Sequence, residues 1–245
     1  MKKTLIFLYG IVAYIIFLVA FLYAIGFVGN FWVPKGIDSG IETSTTEALL
    51  INIALMSLFA IQHSVMARPA FKKWFTKFLD PAIERSTYVL LSSLALLLMY
   101  WQWQPMSSIV WEFENTTALV LTSVFFLGWI IVFLSTFMIN HFELFGLSQI
   151  YQRFKDQKLT YPKFQVNLFY KIVRHPIMLG FIIAFWATPL MTVGHLLFAV
   201  VTTIYILIAV KYLEEKDLKK HIGKEYEDYQ KRVPMIVPFT KIIKE

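Results

Sequence analysis

The 245-residue chain contains no cysteine. That excludes a disulfide framework, thiolate metal sites and a cysteine nucleophile. Charge is scarce as well: Asp, Glu, Lys and Arg make up 16 % of the residues, against about 25 % in a soluble domain. Those few charges sit in short stretches between long apolar runs, and no internal repeat or low-complexity linker is visible, so residues 1–245 read as one domain. Histidine is sparse too. None of the five stands at a dense spacing such as His-x-x-x-His, and no bound metal is expected.

What the sequence has in abundance is hydrophobic surface, 58 % of its residues. Water could not hydrate so much of it and one core of this length could not hide it, so its natural solvent is lipid. The first apolar run, Leu5 to Val28, is too long for a signal-peptide core and lacks a small-residue cleavage site, which makes it a retained span. Further spans are predicted at Ala48 to Met66, Tyr88 to Trp103 and Ala118 to Ile139, each near the roughly 20 residues needed to cross the hydrocarbon. Two more, Ile177 to Leu190 and His195 to Tyr212, form a helical hairpin turned at Thr188-Pro189 and Gly194. The first of these has only 14 residues, about 21 Å of helix, and is tilted, re-entrant or longer than the run suggests. The expected fold is therefore all-α: a polytopic integral membrane protein of about six membrane helices.

Basic residues set the orientation. With a cytoplasmic N-terminus and alternating sides, 22 of the 23 Lys and Arg residues fall in cytoplasmic segments and only Lys35 falls outside. Both termini are thus expected in the cytoplasm, as in a bacterial inner membrane, with the loops holding Asp38 and Glu114 external. The net charge of +7 follows from this bias, and no nucleic-acid partner is implied. One cytoplasmic segment has a pattern of its own: Phe71, Trp74, Phe75, Phe78 and Leu79 recur at helical spacing opposite Lys72, Lys73, Thr76 and Lys77. It reads as an amphipathic helix starting at Pro69 and lying on membrane lipid, or docked on the protein's own cytoplasmic cap. Trp101, Trp103 and Trp111 fit an outer aromatic belt.

Chemistry concentrates at the mouth of the hairpin, in Arg174-His175-Pro176-Ile177-Met178-Leu179-Gly180, and after its return, in Glu214-Glu215-Lys216-Asp217-Leu218 and Gly223-Lys224-Glu225-Tyr226. Pro176 suits the first helical position and keeps His175 extended outside the helix. Free amides of that helix beside Arg174 make an anion site fit for an amino acid carboxylate. Gly180 would let a ligand or a neighbouring helix approach closely, and Glu214 and Glu215 can accept from an ammonium or a ribose. The same charges could instead form a salt bridge that closes the hairpin, with His175 as an interfacial cap.

From Tyr170 to Pro238 the pattern Arg-His-Pro-x-x-x-Gly, hydrophobic hairpin, Glu-Glu-x-x-Leu and Gly-x-x-Tyr-x-x-Tyr resembles the isoprenylcysteine carboxyl methyltransferase and phospholipid methyltransferase superfamily. The resemblance implies an S-adenosylmethionine site, about residues 170–238, made of Tyr170, Arg174, His175, Pro176, Met178, Leu179, Gly180, Glu214 and Glu215. A frequent tyrosine of the motif is Met178 here. Gln62 to Pro69, Glu84 to Tyr88, Tyr100 to Met106 and Asn140 to Gly146 extend the likeness through nearly the whole chain to the membrane methanethiol S-methyltransferases. This implies a small thiol substrate and a dimethyl sulfide product. The acceptor could also be an isoprenylated cysteine or a phospholipid, and a non-enzymatic or transport protein could reuse the hairpin with its charges as salt bridges.

A thiol must lose its proton before it attacks. Candidate groups lie where spans meet the cytoplasmic face: His63, His141 with Glu143, and Glu84 with Tyr88. Histidine is the first choice for a general base near neutrality. Each of these is also readable as a solvated helix-end anchor, Asn52 as a helix-to-helix hydrogen bond, and His195, at the far turn, as structural.

Overall fold

The computed structural model describes residues 2–160 and 164–241. The basic residues Lys163 and Lys244 and both chain ends, which the orientation argument used, lie outside the described residues. In chain order the helices are α1 (Lys2–Gly29), α2 (Thr45–Ala67), α3 (Pro69–Phe75) and α4 (Glu84–Gln102). After strand β1 (Ile109–Glu112) come α5 (Asn115–Ile139), α6 (His141–Leu144), α7 (Leu147–Phe154) and α8 (Pro176–Trp186). Strand β2 (Leu190–Thr192), α9 (Val193–Ile208), α10 (Glu215–Ile222) and α11 (Lys224–Arg232) follow. Among the described residues, five helical stretches are long and apolar enough to cross a membrane: α1, α2, residues 81–102, α5, and residues 193–222. The chain is a multi-pass membrane protein. The fifth predicted run becomes α8, of 11 residues, about 16 Å long and short of the hydrocarbon thickness.

The chain divides into two compact units. One holds Met1–Ser108, His141–Tyr161 and Thr192–His195. There α1 packs on α4 and α7 and α2 packs on α4, because small residues let the helices approach: a side chain at Gly10 would strike Ile150 and Ser86. Ser44 begins α2 by accepting from the Glu47 amide at 3.3 Å, half of a capping box. Gly146, in the left-handed region at φ +89°, starts α7 and packs its backbone on Ser86 of α4, where no larger residue would fit. Asn52 is fully buried and clamps the loop after α4, donating to Gln104 O at 2.8 Å and accepting from Gln104 N at 2.9 Å. Its partner is loop backbone rather than another helix. Trp103 is fully buried with its ring edge-on to Phe27, so it is core and not belt, whereas Trp101 is 70 % exposed. His195 is fully buried, as a structural residue would be.

The other unit holds Ile109–Asn140, Pro162–Met191 and Leu196–Glu245. Its seam is the pairing of α5 with α8, where Gly128 and Gly180 face each other. A Cβ on either would lie 2.7 Å from the carbonyl oxygen of the other. Trp129 closes the seam edge-on to Phe181 and Phe185, at 5.7 and 6.1 Å between ring centroids. Beyond α8 the chain pairs β2 with β1 in a two-stranded ribbon. Phe113 N donates to Pro189 O at 2.8 Å and the Trp111 indole to Thr188 O at 3.1 Å, so a break in the helix leaves its backbone groups paired, as lipid requires.

Candidate functional site

Two groups of candidate side chains emerge, one in each unit. In the second unit Pro176 opens α8 after His175, which is extended at φ −127°, ψ 65°. The start of α8 is held by two backbone bonds from the segment after α11: Arg174 N to Pro234 O at 2.9 Å and His175 N to Met235 O at 3.1 Å. α9 runs into a π-helical turn, Ala209–Glu214, before α10 begins at Glu215. Such turns carry one residue more than the α-helical register and recur at functional sites.

These two supports bring Arg174, His175, Glu214 and Glu215 together. The Arg174 guanidinium donates to Glu215 Oε1 through Nε at 2.6 Å, with Nη2 at the same distance in the ion pair, and through Nη1 to the carbonyls of Gln230, at 3.3 Å, and Val233. His175 stands between the two glutamates, with Nε2 at 3.1 Å from Glu215 and Nδ1 at 3.6 Å from Glu214. Tyr226 and Gln230 of α11 also donate to Glu215, at 3.3 and 2.8 Å. Burial, with the Glu215 charge next, raises the Tyr226 phenol above its usual value, so it stays a donor. Tyr170 accepts from the Tyr229 hydroxyl through its backbone oxygen at 2.5 Å and reaches Ser135 O with its own at 3.4 Å. The remaining predicted members divide: Met178 and Leu179 pack against Ile206, Val210 and Ile236, and Gly180 gives its close approach to α5.

In the first unit His63 of α2 meets two groups of α4, Ser92 Oγ at 3.2 Å from Nδ1 and the Tyr88 hydroxyl at 2.7 Å from Nε2 and 3.1 Å from Nδ1. Phe59 stacks on it at 5.1 Å. A second pair of the same kind joins His141 Nε2 to the Tyr14 hydroxyl of α1 at 2.7 Å. His141 is buried, and burial lowers its pKa from the ordinary value. Desolvation raises Glu143, against the lowering effect of Arg85. Arg85 donates to Leu144 O at 2.8 Å and lies 5.5 Å from the Tyr88 ring centroid. Glu84 pairs with Lys72 of α3 at 3.9 Å. Among the described residues, no three His, Asp or Glu side chains gather as metal ligands would.

The model of a family described as NnrU protein matches residues 51–236. Methanethiol S-methyltransferase 2 of Bradyrhizobium diazoefficiens is 58 % identical over 96 % of this chain and 91 % of its own length. The methanethiol S-methyltransferase of Mycobacterium tuberculosis is 52 % identical over 98 % of each chain, and that of Crocosphaera subtropica 50 % identical over 98 % and 94 %. The chain belongs to the NnrU family, among its methanethiol S-methyltransferases. No solved structure matches it.

Several partners in this family member were not singled out from sequence. Gln230 has a visible signal: with Tyr226 and Tyr229 it stands at i, i+3 and i+4, one face of α11. Ser92 lies one turn beyond Tyr88 and shares the same rationale. Tyr14, 127 residues from its partner His141, and the carbonyls of Gln230 and Val233 carried no local signal at all.

Proposed function

We propose that this chain transfers a methyl group from S-adenosylmethionine to methanethiol, giving dimethyl sulfide and S-adenosylhomocysteine. The observation that carries this reading is identity of 50–58 % with methanethiol S-methyltransferases across at least 96 % of the chain. The charged cluster of the second unit fits the cofactor's amino acid end: the first amides of α8 have no partner within the helix and suit a carboxylate, and a glutamate stands beside them for an ammonium. Tyr170, Arg174, His175, Pro176, Met178, Leu179, Gly180, Glu214 and Glu215 form or support that seat. S-adenosylmethionine, when bound, supplies an electrophilic methyl carried on a sulfonium.

The protein's own task is to make thiolate and exclude water. The His63–Tyr88 pair is the proposed proton acceptor. In the tautomer whose Nδ1–H donates to Ser92, His63 Nε2 keeps its lone pair, and Tyr88 can take the thiol proton while passing its own to that nitrogen. His141, kept neutral by burial and paired with Tyr14, is the second candidate base, and Glu84 supports α4 through Lys72. The carbon–sulfur bond to the thiolate forms as the methyl–sulfonium bond breaks, so opposite charges disappear together. A water-poor site favours that change, and alignment accounts for much of the remaining rate. The amphipathic segment 69–79, whose helix α3 ends at Phe75 with Phe78 and Leu79 on the turn beyond it, has Trp74 and Phe78 exposed at a shallow apolar groove of about 410 Å³ and rests on membrane lipid with Lys72, Lys73 and Lys77 near the headgroups.

The deciding experiment gives purified protein S-adenosylmethionine and methanethiol and measures headspace dimethyl sulfide. Product should accumulate, with a prenylated cysteine analogue a poor acceptor. Methylation of the analogue without dimethyl sulfide would move the assignment to a lipid-modified acceptor, and no transfer to either would remove the enzymatic reading.

A further inference from the structure

The cage around Glu215 separates two glutamates that are neighbours in sequence. Glu215 Oε1 faces four donors, Arg174 Nε and Nη2, His175 Nε2 and the Tyr226 hydroxyl, and Oε2 faces the Gln230 amide. An ionised carboxylate has about four lone-pair sites in all, so little of this one is left for a ligand. Arg174 is spent in the same way, with Nε and Nη2 on Glu215 and Nη1 on two backbone carbonyls. Both side chains are buried. A ligand reaching either would have to break a desolvated ion pair, which costs several kcal/mol. Glu214 is the opposite case. Its side chain is 45 % exposed and lies 3.6 Å from His175 Nδ1, beyond a hydrogen bond.

We propose that Arg174 and Glu215, with Tyr226 and Gln230, are positioning residues that do not touch the cofactor, and that Glu214 receives the ammonium of its amino acid moiety. This rests on the S-adenosylmethionine reading above. An α-amino acid carries its carboxylate and ammonium on one carbon, so the group that binds the ammonium must lie beside the carboxylate seat. Glu214 meets that condition because His175, the residue preceding α8, contacts it directly. The Arg174–Glu215 pair fixes His175 from the other side and ties α10 to α11, which sets where Glu214 points.

Calorimetry with two ligands separates these roles: S-adenosylhomocysteine, which has the amino acid end, and 5′-methylthioadenosine, which lacks it. Glu214→Gln should weaken S-adenosylhomocysteine by roughly ten- to a hundredfold, the scale of one charged hydrogen bond, and leave methylthioadenosine unchanged. Glu215→Gln should weaken both ligands in parallel. Unchanged binding or parallel loss in Glu214→Gln would overturn the assignment, as would a loss confined to S-adenosylhomocysteine in Glu215→Gln. Should Glu215→Gln fail to fold, the Glu214→Gln pair of titrations decides alone. Wild-type protein that binds neither S-adenosylhomocysteine nor S-adenosylmethionine would overturn the cofactor reading itself, a result distinct from wild-type binding with Glu214→Gln unaffected.

Discussion

The His63 and His141 pairs of the first unit and the Arg174–Glu215 cage of the second solve opposite problems. Each histidine pair is a phenol bonded to an imidazole, a short chain with room for one more proton. The cage is an ion pair surrounded by further donors, in which almost nothing is free to move. A network that must hand on a proton gains from being sparse, whereas one that must hold a charged ligand's seat gains from being saturated. The contrast teaches that burial alone does not mark function, since both networks are substantially buried and only their spare capacity differs.

The all-or-none test of this contrast is whether both units sit in the bilayer as the basic residues imply. One introduced cysteine in each unit suffices in a cysteine-free chain: Ile41→Cys, at a position 89 % exposed, and Glu114→Cys. Ile41 is a better site than Asp38, whose carboxylate is bonded to Asn30 and Thr192. Impermeant maleimide applied outside should label both, and labelling of either only from the cytoplasm would reverse the proposed orientation.

Next in size is the proton pathway. His63→Ala should lower turnover at neutral pH by about 10²- to 10⁴-fold with little change in cofactor affinity, and raising the pH should restore part of the rate by supplying thiolate from solution. Loss of affinity in step with rate would place His63 in the cofactor seat instead. Breaking the cage acts on the fold: Arg174→Ala leaves the Glu215 carboxylate buried without its partner, and thermal or denaturant unfolding should report a loss of about 3–5 kcal/mol. A melt equal to wild type would mean that the pair is not a post.

The smallest effect concerns His141. Burial holds its folded pKa below the ordinary 6.5, so the unfolded chain binds the proton more readily than the folded one. The stability associated with neutral His141 is complete above pH 6.5 and is lost as the pH falls through the lowered folded value. His141→Gln should flatten that acid limb in a series of melts. An unchanged limb would assign it to other groups.

Most of the membrane architecture was legible because a run of 20 apolar residues has few alternatives to a helix. α8 was less so: its run predicted 14 residues, but Thr188 and Pro189 end the helix early and the remainder pairs as strand with Ile109–Glu112, a partner that local pattern does not reveal. The charged site was visible as motifs, and the contact of Arg174 with Glu215 followed from the hairpin. Its saturation did not, because the decisive partners are backbone carbonyls and side chains of α11. Trp103 misled in the same way. An indole near a span end reads as a belt residue unless its packing against Phe27 is known.

The π-helical turn at Ala209–Glu214 has a consequence for insertions and deletions. Removing any one residue between Ala209 and Leu213 would let the turn relax into regular α-helix, the cheaper geometry, and local helical stability would rise. The same deletion would leave Glu214 and Glu215 at nearly their present angle, whereas a deletion earlier in α9, with the wide turn kept, would rotate both by about 100° about its axis, carrying one away from His175 and the other out of its cage. The wide turn can therefore give up a residue that the regular part of α9 could not lose without turning both glutamates from their partners.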